Sequence, residues 1–369
     1  MKNSLSAAQY AIVAIILMSV FKLSVLPSLT AQSAGKDIWM SISMILLSEM
    51  ISLAFIVPVS LSGGLDAIRQ KYGKVVYSLI SVPIIVVLII KTLVYVSEVN
   101  AFSSSYLFYN ISTDKVGIVF VIAAAYIATK GFKGIGRASS LALWTLPLIL
   151  AVGLLFGETE ADFTRLKPVC VNGVMPVFES VDSVLFWGFD FSPLLFCRLK
   201  RRESASRGGT CEACAVFGAV ALACAVIALV YATYIAAYGG ATAISPHAFA
   251  ALGSFNVVNT EVGSIDWPAV VCWLSFAVFA VSFNLGAVGE WATGYSVKAP
   301  FAVIAALAAI CVFGPLFFYN FEKALDFAES AVKYFTAAAG TILPFAAFML
   351  VKIGKIPEAD GGGTYEKVL

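Results

Sequence analysis

Six side chains able to bind or balance charge stand in stretches otherwise suited only to lipid: Lys22, Glu49, Lys91, Glu98, Asp190 and Asn284. A lone ionised group at the centre of a bilayer costs at least about 2.5 kcal/mol, so each of these needs a partner or a wet cavity. With a rise of about 1.5 Å per residue, Lys22, Glu49, Lys91 and Asp190 all fall within roughly 6 Å of the midpoints of their apolar runs. Two cations and two anions therefore share one depth. This predicts direct pairing around a ligand or ion-coupling site, or alternatively a helix-packing network that binds nothing. Glu98 lies seven residues beyond Lys91 on the same face, about 10 Å further along, too far for a direct pair and expected at the outer mouth. Asn284, like Ser139 and Ser140, is a lesser candidate, because an amide or hydroxyl in a span commonly bonds across helices or to its own turn.

Two of the charges sit in interrupted stretches. Ser183–Pro193, SVLFWGFDFSP, places Gly188, Asp190 and Pro193 in one apolar run. Ser19–Leu29, SVFKLSVLPSL, does the same with Lys22 and Pro27. Unwound backbone at membrane depth is tolerated where it faces a protein-lined cavity, and it exposes amides at one half-helix end and carbonyls at the other. Both stretches are thus predicted to be broken helices. The ligand-facing candidates are Ser19, Phe21, Leu23 and Ser24 in the first, and Phe186, Trp187, Gly188, Phe189 and Asp190 in the second. Phe186, Trp187, Phe189 and Phe191 would suit an apolar side-chain pocket, or simply packing. A small zwitterionic or neutral ligand fits a balanced charge set.

The elements that must position these groups follow from composition. Hydrophobic residues make up 60% and charged residues 12% of the 369, with a net charge of +2. The apolar residues come in runs of about 18 to 25, which predicts an all-α, polytopic membrane protein. Ten spans can be drawn, at about 7–31, 37–60, 75–99, 115–130, 136–156, 176–198, 211–238, 267–289, 299–319 and 334–352. With both termini cytoplasmic, sixteen basic residues lie inside: Lys2, Arg69, Lys71, Lys74, Lys130, Lys133, Arg137, Arg198, Lys200, Arg201, Arg202, Arg207, Lys298, Lys352, Lys355 and Lys367. Six lie outside, namely Lys36, Lys115, Arg165, Lys167, Lys323 and Lys333, a clear positive-inside bias. The interrupted stretches head spans 1 and 6. Two sets of five spans are then related by inversion, a repeat of about 7–156 and another of about 176–352, together forming a single transmembrane domain over 1–356. Matching interruptions in two such halves point to a binding site at the midplane.

The remaining segments carry less chemistry. Residues 62–74 read as a short helix on the inner membrane face. The long outer segment 239–267 holds the single histidine, His247, and its SPHAFAALGSFN stretch reads either as a gate over an outer vestibule or as a packed loop. The tail 357–369 is polar, Gly-rich and expected to be disordered. Seven cysteines fall mostly in or beside spans, and Cys211 with Cys214 is a lone CxxC, read as packing. No nucleotide-binding glycine motif, zinc motif or nucleophile–base arrangement is present, so neither an enzyme nor a cofactor is expected. Nor is nucleic acid expected as a partner.

Several short motifs spread from end to end add a resemblance. These are Gln9 with Leu26-Pro27, Gly35-Lys36-Asp37-Ile38-Trp39, Tyr72-Gly73-Lys74, Lys130-Gly131, Gly136-Arg137, Leu166-Lys167-Pro168-Val169 with Gly173, and Ser264-Ile265-Asp266-Trp267. Together they make the chain resemble the permease-like B subunit of GerA-type spore germinant receptors, a branch of the amino-acid/polyamine/organocation superfamily with the LeuT fold. The chain departs from that pattern at Asn259-Thr260-Glu261-Val262-Gly263, where an arginine is usual, and at Lys167, where Leu-Leu-Pro is usual. The resemblance implies a nutrient sensor, its ligand an amino acid, working with an A-type membrane subunit and a lipoprotein C-type subunit in the spore inner membrane. It also implies that Lys22 fills the space where relatives of this fold bind sodium, so that Lys22→Ala is expected to leave folding intact and abolish function. Two other functions fit the same residues: a cation- or proton-coupled amino-acid permease, and an ion-conducting or scaffold subunit.

Overall fold

The computed structural model describes residues 4–106, 114–143, 162–200, 208–243, 267–295, 300–318 and 321–354. Among them are twelve α-helices: α1 (Ala7–Ser19), α2 (Leu26–Ala34), α3 (Ile38–Leu61), α4 (Leu65–Tyr106), α5 (Asp114–Thr129), α6 (Gly131–Leu143), α7 (Met175–Ser183), α8 (Gly208–Tyr238), α9 (Trp267–Gly294), α10 (Pro300–Phe318), α11 (Phe321–Glu329) and α12 (Val332–Ile353). Glycines with positive φ make the sharp changes of direction that other residues resist. Gly35 (φ +56°) separates α2 from α3, Gly73 (φ +86°) breaks α4 near its start, and Gly131 (φ +72°) divides α5 from α6, which meet at 120°.

The chain is an all-α, polytopic membrane protein. Five described helical stretches are individually long and apolar enough to cross a bilayer, and the bent pair α5–α6 makes a sixth. The expectation of ten spans also counts shorter apolar pieces, α1, Leu185–Phe196 and Pro300–Phe313, which do not reach that length as unbroken helices. Most of the expected span 5 beyond Leu143 lies outside the described residues, as do His247, the proposed gate stretch and the tail. Burial is arranged for a lipid solvent. Val75, Leu79 and Leu222 are among the apolar side chains turned outward, while Lys22, Glu49, Lys91 and Glu98 are buried.

The broken spans lie at the centre. α1 packs on α8, α2 on α7, α3 on α8 and α12, and α9 on α4 and α5. One end of the bundle is closed by a two-residue parallel ladder in which β1 (Ser4–Leu5) pairs with β2 (Arg198–Leu199), with the Lys200 amide donating to the Leu5 carbonyl at 2.7 Å. Ser6 and Gln9 form a reciprocal capping box that starts α1 directly after this strand. Gly136 lets Leu5 approach α6, since a Cβ there would lie 2.7 Å from the leucine side chain. Asp66 and Arg198 pair at 3.3 Å beside the ladder. The segment 62–74 is helical from Leu65 and is anchored to the protein. Leu65 and Ile68 are buried, Arg69 donates to the Gly294 carbonyl at 2.6 Å, and Tyr72 donates to the Leu350 carbonyl at 3.0 Å. Its apolar face packs towards the ends of α9 and α12.

Candidate functional site

Both interruptions occur where the sequence places them. Span 1 is helical as α1, unwinds over residues 20–25 and resumes as α2 at Leu26-Pro27, with proline in the first helical turn, where its missing amide is no loss. Span 6 differs from a helix with one break. After α7 it makes a 3₁₀ turn at Leu185–Trp187, extends through Gly188, forms a second 3₁₀ stretch at Ser192–Phe196 and ends as β2. Its second half is thus not α-helical. Pro193 and the ladder to β1 account for this, since both take the backbone out of the i to i−4 pattern.

The four mid-depth charges meet between these breaks. Lys22 Nζ lies 2.5 Å from Asp190 Oδ2 and 2.8 Å from Glu49 Oε1, and Lys91 Nζ lies 2.5 Å from Asp190 Oδ1. Lys91 also donates to the Gly188 carbonyl at 2.5 Å, and the Asp190 amide approaches Glu49 Oε1 at 3.4 Å. Asp190 thus bridges two ammonium groups, and span 1 is joined to span 6 by a direct ion pair. Such a set is stable away from water only when its charges are paired; here each ion has a partner, and Glu49 Oε2 is the one oxygen of the set left without a hydrogen bond.

Side chains from other helices cap the carbonyls that the breaks set free. Trp273 Nε1 donates to Val20 O at 2.6 Å, the Tyr231 hydroxyl to Lys22 O at 2.7 Å, and Ser60 to Leu194 O at 3.0 Å. Tyr95 donates to Asp190 Oδ1 at 2.7 Å and stacks on Phe21, with ring centroids 3.6 Å apart. Sequence reasoning missed Tyr95, Tyr231 and Trp273. Tyr95 was within reach of it, being four residues from Lys91 and so on the same helix face. The other two act across 209 and 253 residues, which local spacing cannot reveal.

The remaining candidates are distributed around this centre. Ser19 bonds back to the Ile15 carbonyl within its own helix at 2.7 Å. Phe21, Leu23 and Ser24 are buried in the first break. Phe186 lies under Lys91, 5.7 Å from ring centroid to Nζ, and Trp187 stacks on Tyr95 at 5.7 Å. Phe189 has φ +63° and presses on α12, where a Cβ on Gly340 would lie 2.2 Å from the phenylalanine Cβ. Asn284 reaches Thr92 at 3.5 Å and stays outside the charge set. Glu98 is not at an open mouth. It is 0% exposed, faced by the Ser24 hydroxyl and the Val25 amide where span 1 resumes its helix. At the far end of α2 a cavity of about 590 Å³ is lined by Gly35, Lys36, Arg165, Tyr238, Gly239 and Thr242 among others, with Arg165 held by the Ala236 and Ala237 carbonyls.

Residues 4–319 match the profile of a protein family described as spore germination protein, a spore permease. The chain belongs to that family. No curated protein matches the sequence. Membership sets the spore germination protein among membrane-embedded proteins of permease type, and the buried charge set lies wholly inside the matched region.

Proposed function

We propose that this spore germination protein is the nutrient-sensing, permease-like subunit of a germination receptor, binding an amino acid where the two broken spans meet. The observation that carries the reading is the pair between Lys22 in one break and Asp190 in the other, at 2.5 Å. A direct bond between two unwound segments makes their relative position dependent on anything that competes for either charge. A zwitterion offers both competing charges in one small molecule, matched to the ammonium and the carboxylate that the two breaks bring together. The order of the spans, with breaks heading two sets of five, supports an inverted-repeat scaffold of LeuT type. The basic residues support cytoplasmic termini, in the spore inner membrane, beside an A-type subunit and a lipoprotein.

Sensing is favoured over cation-coupled transport by Lys22 itself. Its ammonium already bridges Glu49 and Asp190 at the junction of the breaks, so the position a coupling cation would use is taken by a tethered charge. The deciding experiment reconstitutes the protein in liposomes and measures binding and uptake of radiolabelled amino acids, with and without an ion gradient. Saturable binding without accumulation is expected. Concentrative uptake would make the protein a permease, and the absence of any amino-acid binding would remove both functions.

A further inference from the structure

Among the described residues, Glu98 is a fully buried acidic side chain that no basic side chain answers. The two ammonium groups of Lys22 and Lys91 are matched by the two carboxylates of Glu49 and Asp190, all within 2.8 Å. Nothing cationic is left over from that set. Glu98 stands seven residues beyond Lys91 on α4, about 10 Å further along the helix. It is fully buried, neither of its oxygens has a hydrogen bond of good geometry, and no lysine or arginine among the described residues pairs with it. The groups facing it are the Ser24 hydroxyl and the Val25 amide from the break in span 1, with Tyr95 on its own helix. A buried carboxyl faced only by neutral donors gains a charge partner when a cation is supplied from outside the protein.

We infer that Glu98 receives the cationic end of the ligand. This rests on the amino-acid reading above and adds to it an orientation. The ammonium group goes towards Glu98 at the α2 side of the break, which leaves the ligand's carboxylate towards the Lys22 and Lys91 pair, where it competes with Asp190 and Glu49 for the two lysines. Glu98 is then a specificity-determining residue that selects for an amine, while the lysines answer the acid. The same chemistry would also hold a free sodium ion, and the experiment separates the two sources.

The full-length protein in nanodiscs is screened by thermal shift against each of the twenty standard amino acids. The strongest binder is then compared with its deaminated acid and its decarboxylated amine, in sodium chloride and in choline chloride. In the wild type the deaminated acid should bind about thirtyfold more weakly or worse than the parent, the loss expected when one partner of a desolvated charge pair is removed. Glu98→Gln should weaken the amino acid and the amine by a similar factor and leave the acid unchanged. Equal binding of the parent and its deaminated acid to the wild type overturns the assignment without any variant. So does unchanged amino-acid affinity in Glu98→Gln. A sodium-specific stabilisation that disappears in that variant while amino-acid affinity is kept makes Glu98 an ion site and overturns the ligand assignment alone. No stabilisation by any amino acid overturns this inference together with the proposed function.

Discussion

Replacing Lys22 by methionine keeps the length of the side chain and removes the charge that ties the two breaks together. In the wild type that ammonium touches Glu49 at 2.8 Å and Asp190 at 2.5 Å. At an effective dielectric constant near 20, each contact is worth roughly 6 kcal/mol of gross Coulomb attraction. Most of this is offset by the cost of taking the ions out of water, and breaking a buried pair by removing one partner costs about 3 to 5 kcal/mol net. After Lys22→Met, Lys91 must serve two carboxylates, with one negative charge left uncompensated. The variant should therefore be about 3 to 5 kcal/mol less stable in denaturant unfolding from micelles, a large share of a usual total of about 5 to 15. This revises the expectation from sequence that folding would be unaffected. The double variant Lys22→Met, Glu49→Gln restores charge balance and keeps an acceptor near the Asp190 amide, so it should recover at least about half of the loss. A single variant within about 1 kcal/mol of wild type, or a double no more stable than the single, would refute the claim that these ions are a balanced, desolvated set.

Two further substitutions probe the same centre. Tyr95→Phe removes a hydrogen bond to the Asp190 carboxylate but keeps the stack on Phe21, so it should cost about 1.5 to 3 kcal/mol in the same unfolding assay. Gly340→Ala drives a methyl group into Phe189, and a loss of about 1 to 3 kcal/mol is expected, accompanied by changed near-ultraviolet circular dichroism as the aromatic cluster shifts.

Much of the centre was legible because depth in a membrane is a one-dimensional quantity. Counting residues from the span ends set Lys22, Glu49, Lys91 and Asp190 at one level, and four charges at one level in lipid have few alternatives to pairing. The breaks were legible for a similar reason: glycine, proline and a charge cannot share an unbroken span. What spacing along one helix could not supply was the lateral neighbour. Glu98 was given the correct face and rise, yet whether water or another span lay opposite depended on the path of residues 20–25. Tyr231 and Trp273 read as two more aromatics in an aromatic-rich sequence until the tertiary fold brought their donors to Lys22 and Val20 carbonyls. A broken helix resumes beyond its interruption, and span 6 does not resume as an α-helix after Gly188. Its 3₁₀ and extended form follows from the pairing with Ser4–Leu5, a contact about two hundred residues distant in sequence.

That pairing also sets an order of events during synthesis. The strand Ser4–Leu5 has its partner in Arg198–Leu199, so the end of the first broken span cannot be fastened until the sixth has been made. At about 5 to 20 residues per second, this leaves α1 without its anchor for roughly 10 to 40 s while spans 2 to 5 enter the bilayer. Lys22 waits equally long for Asp190, with Glu49 available to it first. The nascent chain therefore carries the unequal charges of a half-built centre through most of its insertion, and the two closures, one by backbone and one by ion pair, fall together at the emergence of a single short segment.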